Sequence, residues 1–276
     1  MILAEMKNKL SSELNSEESK SIIEMVTGFD SMGQILNSKK EVSKEQEKET
    51  LEILHKRQNG YPLQYILGKW SFMGNDYFVG EGVLIPRDDT EVVVSSVIPY
   101  LRNIDSPKIL DLCSGSGIIP ITLKKMFPSS EVHALELSDK AIVYLEKNIK
   151  FHNCNIILHK GDLNLLYKDF EEGYFDLIIS NPPYIKQEDM LTLQEEVKSE
   201  PAMALEGGVT GLDFYKAIVS KYSSKLKNGG MLSFELGENQ FDDVKAMMEE
   251  KDFVNIKGFL DLGNTKRAIN GTLLEK

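Results

Sequence analysis

Four consecutive residues, Asn181-Pro182-Pro183-Tyr184, combine side chains that could hold and orient a planar NH2 group. They follow residues 175–179, a short apolar run typical of a fully buried parallel strand. Because proline lacks an N–H and cannot continue a central strand, the chain must leave the sheet at this point. Asn181 is therefore expected at the carboxyl end of a strand, where open α/β sheets bind their ligands.

The chemistry that suits this turn is alkylation of an amide or aromatic amine. The lone pair of such a nitrogen is delocalised, so the nitrogen must be oriented towards an electrophile. The side-chain oxygen of Asn181 and the backbone carbonyl of Pro182 could each accept one N–H, and Tyr184 could pack on the flat face of the substrate. Pro183 would stiffen the turn. Asn-Pro-Pro is also a common turn sequence, and the four residues alone leave that simpler interpretation open.

A glycine-rich turn upstream predicts a second part of the site. Residues 108–112 read as a buried strand and residues 118–127 as a helix, with Pro120 tolerated in its first turn. Strand, glycine turn and helix open a doubly wound nucleotide-binding fold. The turn lacks the Gly-Lys-Ser/Thr of a phosphate-binding loop and the third glycine of a dinucleotide fingerprint. The turn residues expected to bind a cofactor are Cys113, Ser114, Gly115, Ser116 and Gly117.

Two acidic residues are expected at neighbouring strand ends. Glu136 ends the next apolar strand, about 20 residues beyond the glycines, where an acid hydrogen-bonds ribose hydroxyls in such folds. It could instead be a charge at the start of the following helix, although the spacing favours ribose. Asp162 follows a third strand at 155–159, and it could accept from an adenine amino group while Leu163 packs on the ring. A turn aspartate is an equally good interpretation of Asp162.

Composition limits the class of protein. The 276-residue chain has no apolar run of about 20 residues, and its N-terminus soon becomes charged, so neither a membrane span nor a signal peptide is expected. Two cysteines suggest a reducing compartment, and we expect a cytoplasmic protein. The four histidines show no metal-ligand spacing, so no metal is expected. A net charge of −11 argues against a naked duplex as partner and is compatible with a basic protein.

The patterns predict three parts of the chain. Residues 1–68 show helical spacing and form an N-terminal helical domain that could recognise a substrate or could be a packing appendage. Residues 69–86 contain a β-hairpin linker, and residues 87–276 form the α/β domain. A helix is expected at about 212–226, stopped by Gly229 and Gly230, followed by a strand at 231–236 and a terminal pair of strands. Residues 185–209 show no clear strand and could form a lid.

Together these motifs resemble the HemK-type protein-(glutamine-N5) methyltransferases. The resemblance covers most of the chain and includes segments more specific than the Asn-Pro-Pro-Tyr turn, which adenine-N6 methyltransferases share. The segments that carry it are residues 62–68, 84–87, 111–117, 181–185 and 200–215. Asp88 stands where a proline is usual in the family, and Cys113-Ser114 where Gly-Thr is frequent.

The resemblance implies a class I S-adenosylmethionine-dependent methyltransferase, with a Rossmann-like doubly wound sheet and a small N-terminal helical domain. It implies transfer of a methyl group to the glutamine side chain of the Gly-Gly-Gln motif in peptide-chain release factors, leaving S-adenosylhomocysteine. Asp111, the glycine turn, Glu136, Asp162, Leu163 and Asn181 would bind the cofactor, and the four turn residues at 181–184 the substrate. Two alternatives are an adenine-N6 methyltransferase acting on nucleic acid and a non-catalytic nucleoside-binding scaffold.

Arg87 remains open between two roles. It precedes the helix that begins just before the first core strand, from where it could reach a carboxylate at the site and bind substrate. It could equally pair with Asp88 or Asp89 beside it.

Overall fold

A computed structural model describes residues 1–274 and separates them into two compact units. The first unit is Met1–Lys69 together with Gln194–Ser199, and the second is Trp70–Leu193 with the chain from Glu200 onward. Within the described residues, no helix has the length and apolar character needed to cross a membrane.

The first unit is helical, as its sequence pattern predicts. Its core is formed by apolar side chains from α1 Leu3–Ser11, α2 Ser16–Thr27, α4 Lys44–Gln58 and α5 Leu63–Leu67. Ser43 and Gln46 form the capping box expected at the start of α4, with each side chain bonded to the other's backbone N–H. The helices are α1 Leu3–Ser11, α2 Ser16–Thr27, α3 Ser31–Leu36, α4 Lys44–Gln58, α5 Leu63–Leu67 and, from the later segment, α10 Glu195–Lys198.

The second unit begins with a two-stranded hairpin and continues into a seven-stranded sheet with helices on both faces. The strands are β1 Lys69–Phe72, β2 Asn75–Phe78, β3 Lys108–Leu112, β4 Glu131–Glu136, β5 Ile157–Lys160, β6 Phe175–Ser180, β7 Leu226–Glu235, β8 Phe253–Leu260 and β9 Lys266–Leu273. The helices are α6 Asp88–Leu101, α7 Ile118–Met126, α8 Asp139–Phe151, α9 Leu163–Leu166, α11 Asp213–Tyr222 and α12 Phe241–Glu249.

The strand order in the large sheet is β5-β4-β3-β6-β7-β9-β8, parallel from β5 to β7, with β9 antiparallel to both β7 and β8. From β3 the chain continues to β4 and β5 on one side of β3, and it then returns to form β6 on the other side. The switch point of the sheet therefore lies between β3 and β6. Leu112 pairs with Ser180 across these strands, so the glycine turn and Asn181 begin at the same level. The expected doubly wound fold with an antiparallel edge is confirmed.

Burial explains why the central strands are nearly continuous apolar runs. Leu110 and Ile178 pack into one apolar cluster, whereas Ile109, Leu177 and Ile179 pack into another. Successive residues of a strand point to opposite faces, so these two clusters cover the two sides of the sheet. A parallel sheet that is buried on both faces therefore needs apolar residues at successive positions of each strand.

The region around Gly229 corrects one sequence prediction. The expected helix to residue 226 ends at Tyr222, a single 3-10 turn follows, and β7 already begins at Leu226. Gly229 does not stop a helix but lies within β7, with φ of 74°. The register with β6 shifts here, because Phe175 pairs with Leu226 and Leu177 pairs with Met231. A glycine can take the left-handed conformation that both a helix end and such a bulge require. The glycine pair alone therefore does not distinguish a helix stop from a bulge.

Gly117 caps α7 with φ of 86°, and a Cβ there would lie 2.4 Å from Cδ1 of Leu145. We expect Gly117→Ala to lower the free energy of unfolding by about 2–5 kcal/mol, from backbone strain plus overpacking. Gly173→Ala is the matched control, because Gly173 has φ of 63° but no atom of the described residues lies within 4 Å of a Cβ there, and it should cost only about 1–2 kcal/mol. Urea unfolding of both variants measures the difference, and equal losses would show that Leu145 yields without cost.

Candidate functional site

A cavity opens in the second unit at the carboxyl ends of β3, β4 and β6, and we call it the strand-end cavity. Its wall contains most of the predicted site residues, brought together from four strand ends and the segment before α6. The predicted residues that line it are Arg87, Cys113, Ser114, Gly115, Ser116, Glu136, Asp162, Leu163, Asn181 and Pro183. The remaining wall includes the loop at 82–86, Thr90, and Pro201, Met203, Ala204 and Phe214.

Four predicted residues are not among the described residues that line the strand-end cavity: Asp111, Gly117, Pro182 and Tyr184. Asp111 is fully buried in β3, and neither carboxylate oxygen has a hydrogen-bond partner among residues 1–274. Burial raises its pKa well above the usual range. Gly117 packs against α8, and Pro182 is buried. Any contact of these residues with a ligand stays a prediction.

The glycine turn offers an open side to the cavity. Ser114 is held by the neighbouring strand, because its N–H donates to the carbonyl of Leu135 in β4 at 3.1 Å. A Cβ at Gly115 would meet only a methyl of Val83, at 3.9 Å. The missing side chain therefore leaves free space beside the backbone, which is what close approach of a ligand needs.

Glu136 holds this turn in place. Its carboxylate accepts from the N–H of Gly115 at 2.7 Å, of Leu137 at 2.9 Å and of Ser138 at 2.8 Å. Glu136 therefore bonds the residues leading into α8, as the helix-start interpretation expects, and it also lines the cavity, while its contact with a ribose stays a prediction. A carboxylate can accept about four hydrogen bonds, so it keeps capacity for one ligand hydroxyl.

Asp162 likewise has a structural partner and a cavity face. Its carboxylate accepts from the N–H of Asn164 at 2.7 Å and so caps α9. Leu163 is buried beside it, and its carbonyl accepts from the hydroxyl of Tyr222 at 2.8 Å. The turn role of Asp162 is thus present, and contact with an adenine stays a prediction for both residues.

A chain of hydrogen bonds fixes the Asn181 side chain. Nδ2 of Asn181 lies 3.2 Å from Oγ1 of Thr90, and that hydroxyl lies 2.6 Å from Oε2 of Glu235. The hydroxyl of Tyr184 lies 3.2 Å from Oε1 of the same carboxylate. One carboxylate at the end of β7 therefore supports both the first and the last residue of the turn.

Glu235 is a fully buried acid with an altered proton affinity. Desolvation by burial raises its pKa to about 7, and the negative charge of Asp89 acts in the same direction. The hydrogen bonds from Thr90 and Tyr184 and the charge of Arg267 oppose this shift. Burial, together with the Glu235 charge, raises the pKa of Tyr184 strongly, so its hydroxyl keeps its proton.

Thr90 and Glu235 were not among the residues expected at the site from the sequence. Glu235 had a signal, because an acid ending an otherwise apolar strand is the feature that drew attention to Glu136. Thr90 had none, since a threonine in the first turn of α6 is unremarkable by sequence, and its partner is 145 residues away.

Arg87 has a partner that neither sequence interpretation named. Its guanidinium pairs with Glu200, whose side chain is only 1% exposed, and not with Asp88 or Asp89. Glu200 also accepts from the N–H of Ile85 at 2.9 Å, so it ties the segment before α6 to the segment after the turn. Asp89 instead contacts Arg267 at 3.2 Å. A direct substrate contact by Arg87, which lines the cavity, stays a prediction.

Residues 205–207, in the second unit, pack against the end of the turn. Ile185 donates to the carbonyl of Leu205 and accepts from the N–H of Gly207, each at 2.8 Å. A Cβ at Gly207 would lie 2.7 Å from Cα of Tyr184, so the segment packs tightly on the last residue of the turn. Within the described residues, no group of three or more His, Cys, Asp or Glu side chains is placed to hold a metal ion.

The binding role of Glu136 can be tested by calorimetry with S-adenosylmethionine. Glu136→Gln keeps the volume but loses one acceptor oxygen and the charge, so we expect affinity to fall about 10–100-fold, equivalent to about 1.5–3 kcal/mol. Glu131→Gln is the matched control at the opposite end of β4, and it should leave affinity unchanged. Equal affinities for Glu136→Gln and wild type would remove Glu136 from the site.

The raised pKa of Glu235 predicts a pH-dependent stability. The unfolded carboxyl ionises first, so the stability that this group contributes is complete below about pH 4.5 and is lost as the pH rises to about 7, by about 3 kcal/mol. Glu235→Gln removes this dependence, so its stability relative to wild type should increase between about pH 5 and pH 8. Thermal unfolding of both proteins across this range measures it, and a constant difference would contradict the assignment.

Models of two known protein families match most of the chain. Residues 90–253 match the model of the family described as "Methyltransferase small domain", and residues 2–68 match "PrmC N-terminal domain". A methyltransferase structure from Pyrococcus furiosus superposes with a TM-score of 0.54 at 19% identity, covering 74% of this chain and 91% of that one. This likeness shows the fold, a class I methyltransferase sheet.

Two relatives show the family. A release factor glutamine methyltransferase of Clostridium acetobutylicum is 34% identical over 261 residues, which are 93% of this chain and 91% of that protein. Another of the same name, from Thermodesulfovibrio yellowstonii, is 34% identical over 271 residues, 97% of this chain and 95% of that protein. Because the similarity runs through both units at this level, the chain belongs to the release factor glutamine methyltransferase family.

Proposed function

We propose that this enzyme transfers a methyl group from S-adenosylmethionine to the side-chain amide nitrogen of the glutamine in the Gly-Gly-Gln motif of peptide-chain release factors. The observation that carries the proposal is the Asn181 amide, held by Thr90 at the wall of a cavity that also contains the glycine turn and Glu136. The names of the two relatives support the substrate. A cytoplasmic location belongs to the same proposal, and both cysteines are free thiols.

The cavity residues fit S-adenosylmethionine by their hydrogen-bond acceptors, an apolar surface and open space. The open backbone at Gly115 admits close approach, Glu136 keeps an acceptor for a ribose hydroxyl, and Leu163 offers an apolar surface to an adenine. Asp162 would accept from the adenine amino group with the oxygen not used to cap α9. When bound, this cofactor supplies a methyl group on a positively charged sulfur.

Catalysis is then mainly positioning of the acceptor. Oδ1 of Asn181 accepts one N–H of the glutamine amide, which turns the nitrogen towards the methyl group. The methyl group would pass from sulfur to the amide nitrogen and leave S-adenosylhomocysteine, and the nitrogen would lose its extra proton to water. Well-oriented reactants can gain about 7–11 kcal/mol in this way, so neither a metal nor a tuned general base is required.

Tyr184 braces this turn rather than forming the cavity wall. Its hydroxyl bonds to Glu235 and its backbone carbonyl accepts from Nε2 of Gln240 at 2.9 Å. Pro183 lines the cavity and restricts the turn. The carbonyl of Pro182 as a second acceptor, proposed from the sequence, belongs to the same mechanism.

We propose that the helical unit recognises the release factor. Its residues 2–68 match a domain named for one family, which supports a role specific to that family rather than to methyltransferases in general. Arg57 is 5% exposed at its side chain and bonds Glu18, Glu196 and the carbonyl of Tyr61, so it joins α4 to α2 and α10 within the unit.

The function is tested by incubating the full chain with methyl-labelled S-adenosylmethionine and, in separate reactions, a release factor or adenine-containing DNA or RNA. Label on the glutamine of the Gly-Gly-Gln motif, located by mass mapping, is the expected result. Label on adenine would identify the nucleic-acid alternative. Cofactor binding with no transfer to either would indicate a scaffold.

Asn181 variants test the orienting role. We expect Asn181→Ala to lower kcat about 10²–10³-fold, the usual cost of one preorganised hydrogen-bonding group, with cofactor affinity and thermal stability unchanged. Asn181→Asp keeps an acceptor oxygen but loses the NH2 that donates to Thr90, so it should also be strongly impaired. Single-turnover methyl transfer measures both, and a fully active Asn181→Ala enzyme would falsify the catalytic role of the turn.

A further inference from the structure

We infer that Thr90 and Glu235 are positioning residues of the transfer reaction, because together they fix which way the Asn181 amide faces. The inference rests on the proposed function, since it assigns a task to two residues behind the same acceptor. Neither residue is required to touch the substrate. Their contribution is to keep Oδ1 of Asn181 available to the incoming NH2 group.

The chain of hydrogen bonds from Asn181 through Thr90 ends at the Glu235 carboxylate, and this carboxylate determines the direction of each bond. At a pH above the Glu235 pKa of about 7, its carboxylate is ionised and has only acceptors, so the Thr90 hydroxyl then donates its single hydrogen to Oε2 at 2.6 Å. Oγ1 of Thr90 can then only accept from Asn181, which places Nδ2 at 3.2 Å and leaves Oδ1 on the other side of the amide. Without this constraint, the carbonyl oxygen and the NH2 group of Asn181 could exchange places. The NH2 group would then face the N–H of the substrate and repel it.

Burying the Glu235 carboxylate costs free energy, because its charge is removed from water. Packing alone would not require a charged side chain at this position. Glu235 is 1% exposed, and Arg267, the cation that acts on it, makes its ion pairs with Asp89 and Asp261 instead. Tyr184 donates to the second oxygen, and Tyr215 donates to the backbone carbonyl of Glu235 at 2.9 Å. An apolar residue could fill such a position without desolvating a charge, so the carboxylate is expected to have a task.

A purely structural explanation is available for the same contacts. The bond from Thr90 to Glu235 also joins α6 to β7, so its loss could simply loosen the fold. The two explanations differ in whether the effect of Thr90 passes through Asn181. A double-mutant cycle separates them, because residues that act through one another are not additive.

The experiment compares Thr90→Val, which removes the hydroxyl at constant shape, with Thr90→Ser, which restores it. Thr90→Val should lower kcat about 10–100-fold with S-adenosylmethionine affinity unchanged, and Thr90→Ser should recover most of the rate. In an Asn181→Ala background, adding Thr90→Val should lower kcat by less than about 3-fold further. Thr122→Val is the matched control, since Thr122 is also buried but its hydroxyl bonds Tyr77 at 2.8 Å. If the valine variant does not fold, Thr90→Ala removes the same hydroxyl.

A spectroscopic readout keeps the inference separate from the proposed function. The side-chain NH2 resonance of Asn181, identified as the one missing in Asn181→Ala, should shift in Thr90→Val and not in Thr122→Val. A wild-type enzyme that does not methylate the release factor, combined with this shift, would refute the proposed function and leave the orienting role standing. An unshifted resonance, an unchanged kcat in Thr90→Val, or the same fold loss with and without Asn181 would overturn the inference.

Discussion

A single buried carboxylate spans the Asn-Pro-Pro-Tyr turn and holds both of its ends. Glu235 reaches Asn181 through Thr90 on one side and Tyr184 directly on the other. The two prolines restrict the backbone between these ends, but backbone restraint does not decide which way an amide side chain faces. That decision needs a partner with a defined hydrogen-bond direction, and an ionised carboxylate is one because it can only accept.

The enzyme uses the same arrangement twice, at two strand ends of one sheet. Glu136 ends β4 and bonds the backbone of the glycine turn, while Glu235 ends β7 and supports the Asn181 turn. In each case an acid at the end of an apolar strand stabilises a loop that belongs to the neighbouring part of the site. The difference lies in exposure to the cavity: Glu136 lines it, whereas Glu235 does not appear in its wall among the described residues.

Local patterns were sufficient to predict most of the fold. The apolar runs of β3, β4 and β6 and the capping box of α4 lie within a few residues of sequence, and the structure forms them where expected. The prediction failed at β7, because a glycine pair that ends helices also permits a bulge inside a strand, and only pairing with β6 decides between them. Family membership, fold class and enzyme class, which rested on several motifs together, are confirmed.

The site was less predictable because its decisive contacts join residues distant in sequence. The sequence left Arg87 open between an unnamed carboxylate at the site and its neighbours Asp88 and Asp89. The structure pairs it with Glu200, 113 residues away, and Thr90 reaches Glu235 over 145 residues. Sequence shows which side chains carry suitable chemistry, whereas the partner of each depends on the order of strands in the sheet. In an enzyme whose catalysis is mainly positioning, these partners matter as much as the groups that touch the substrate, because they determine where its few polar atoms point.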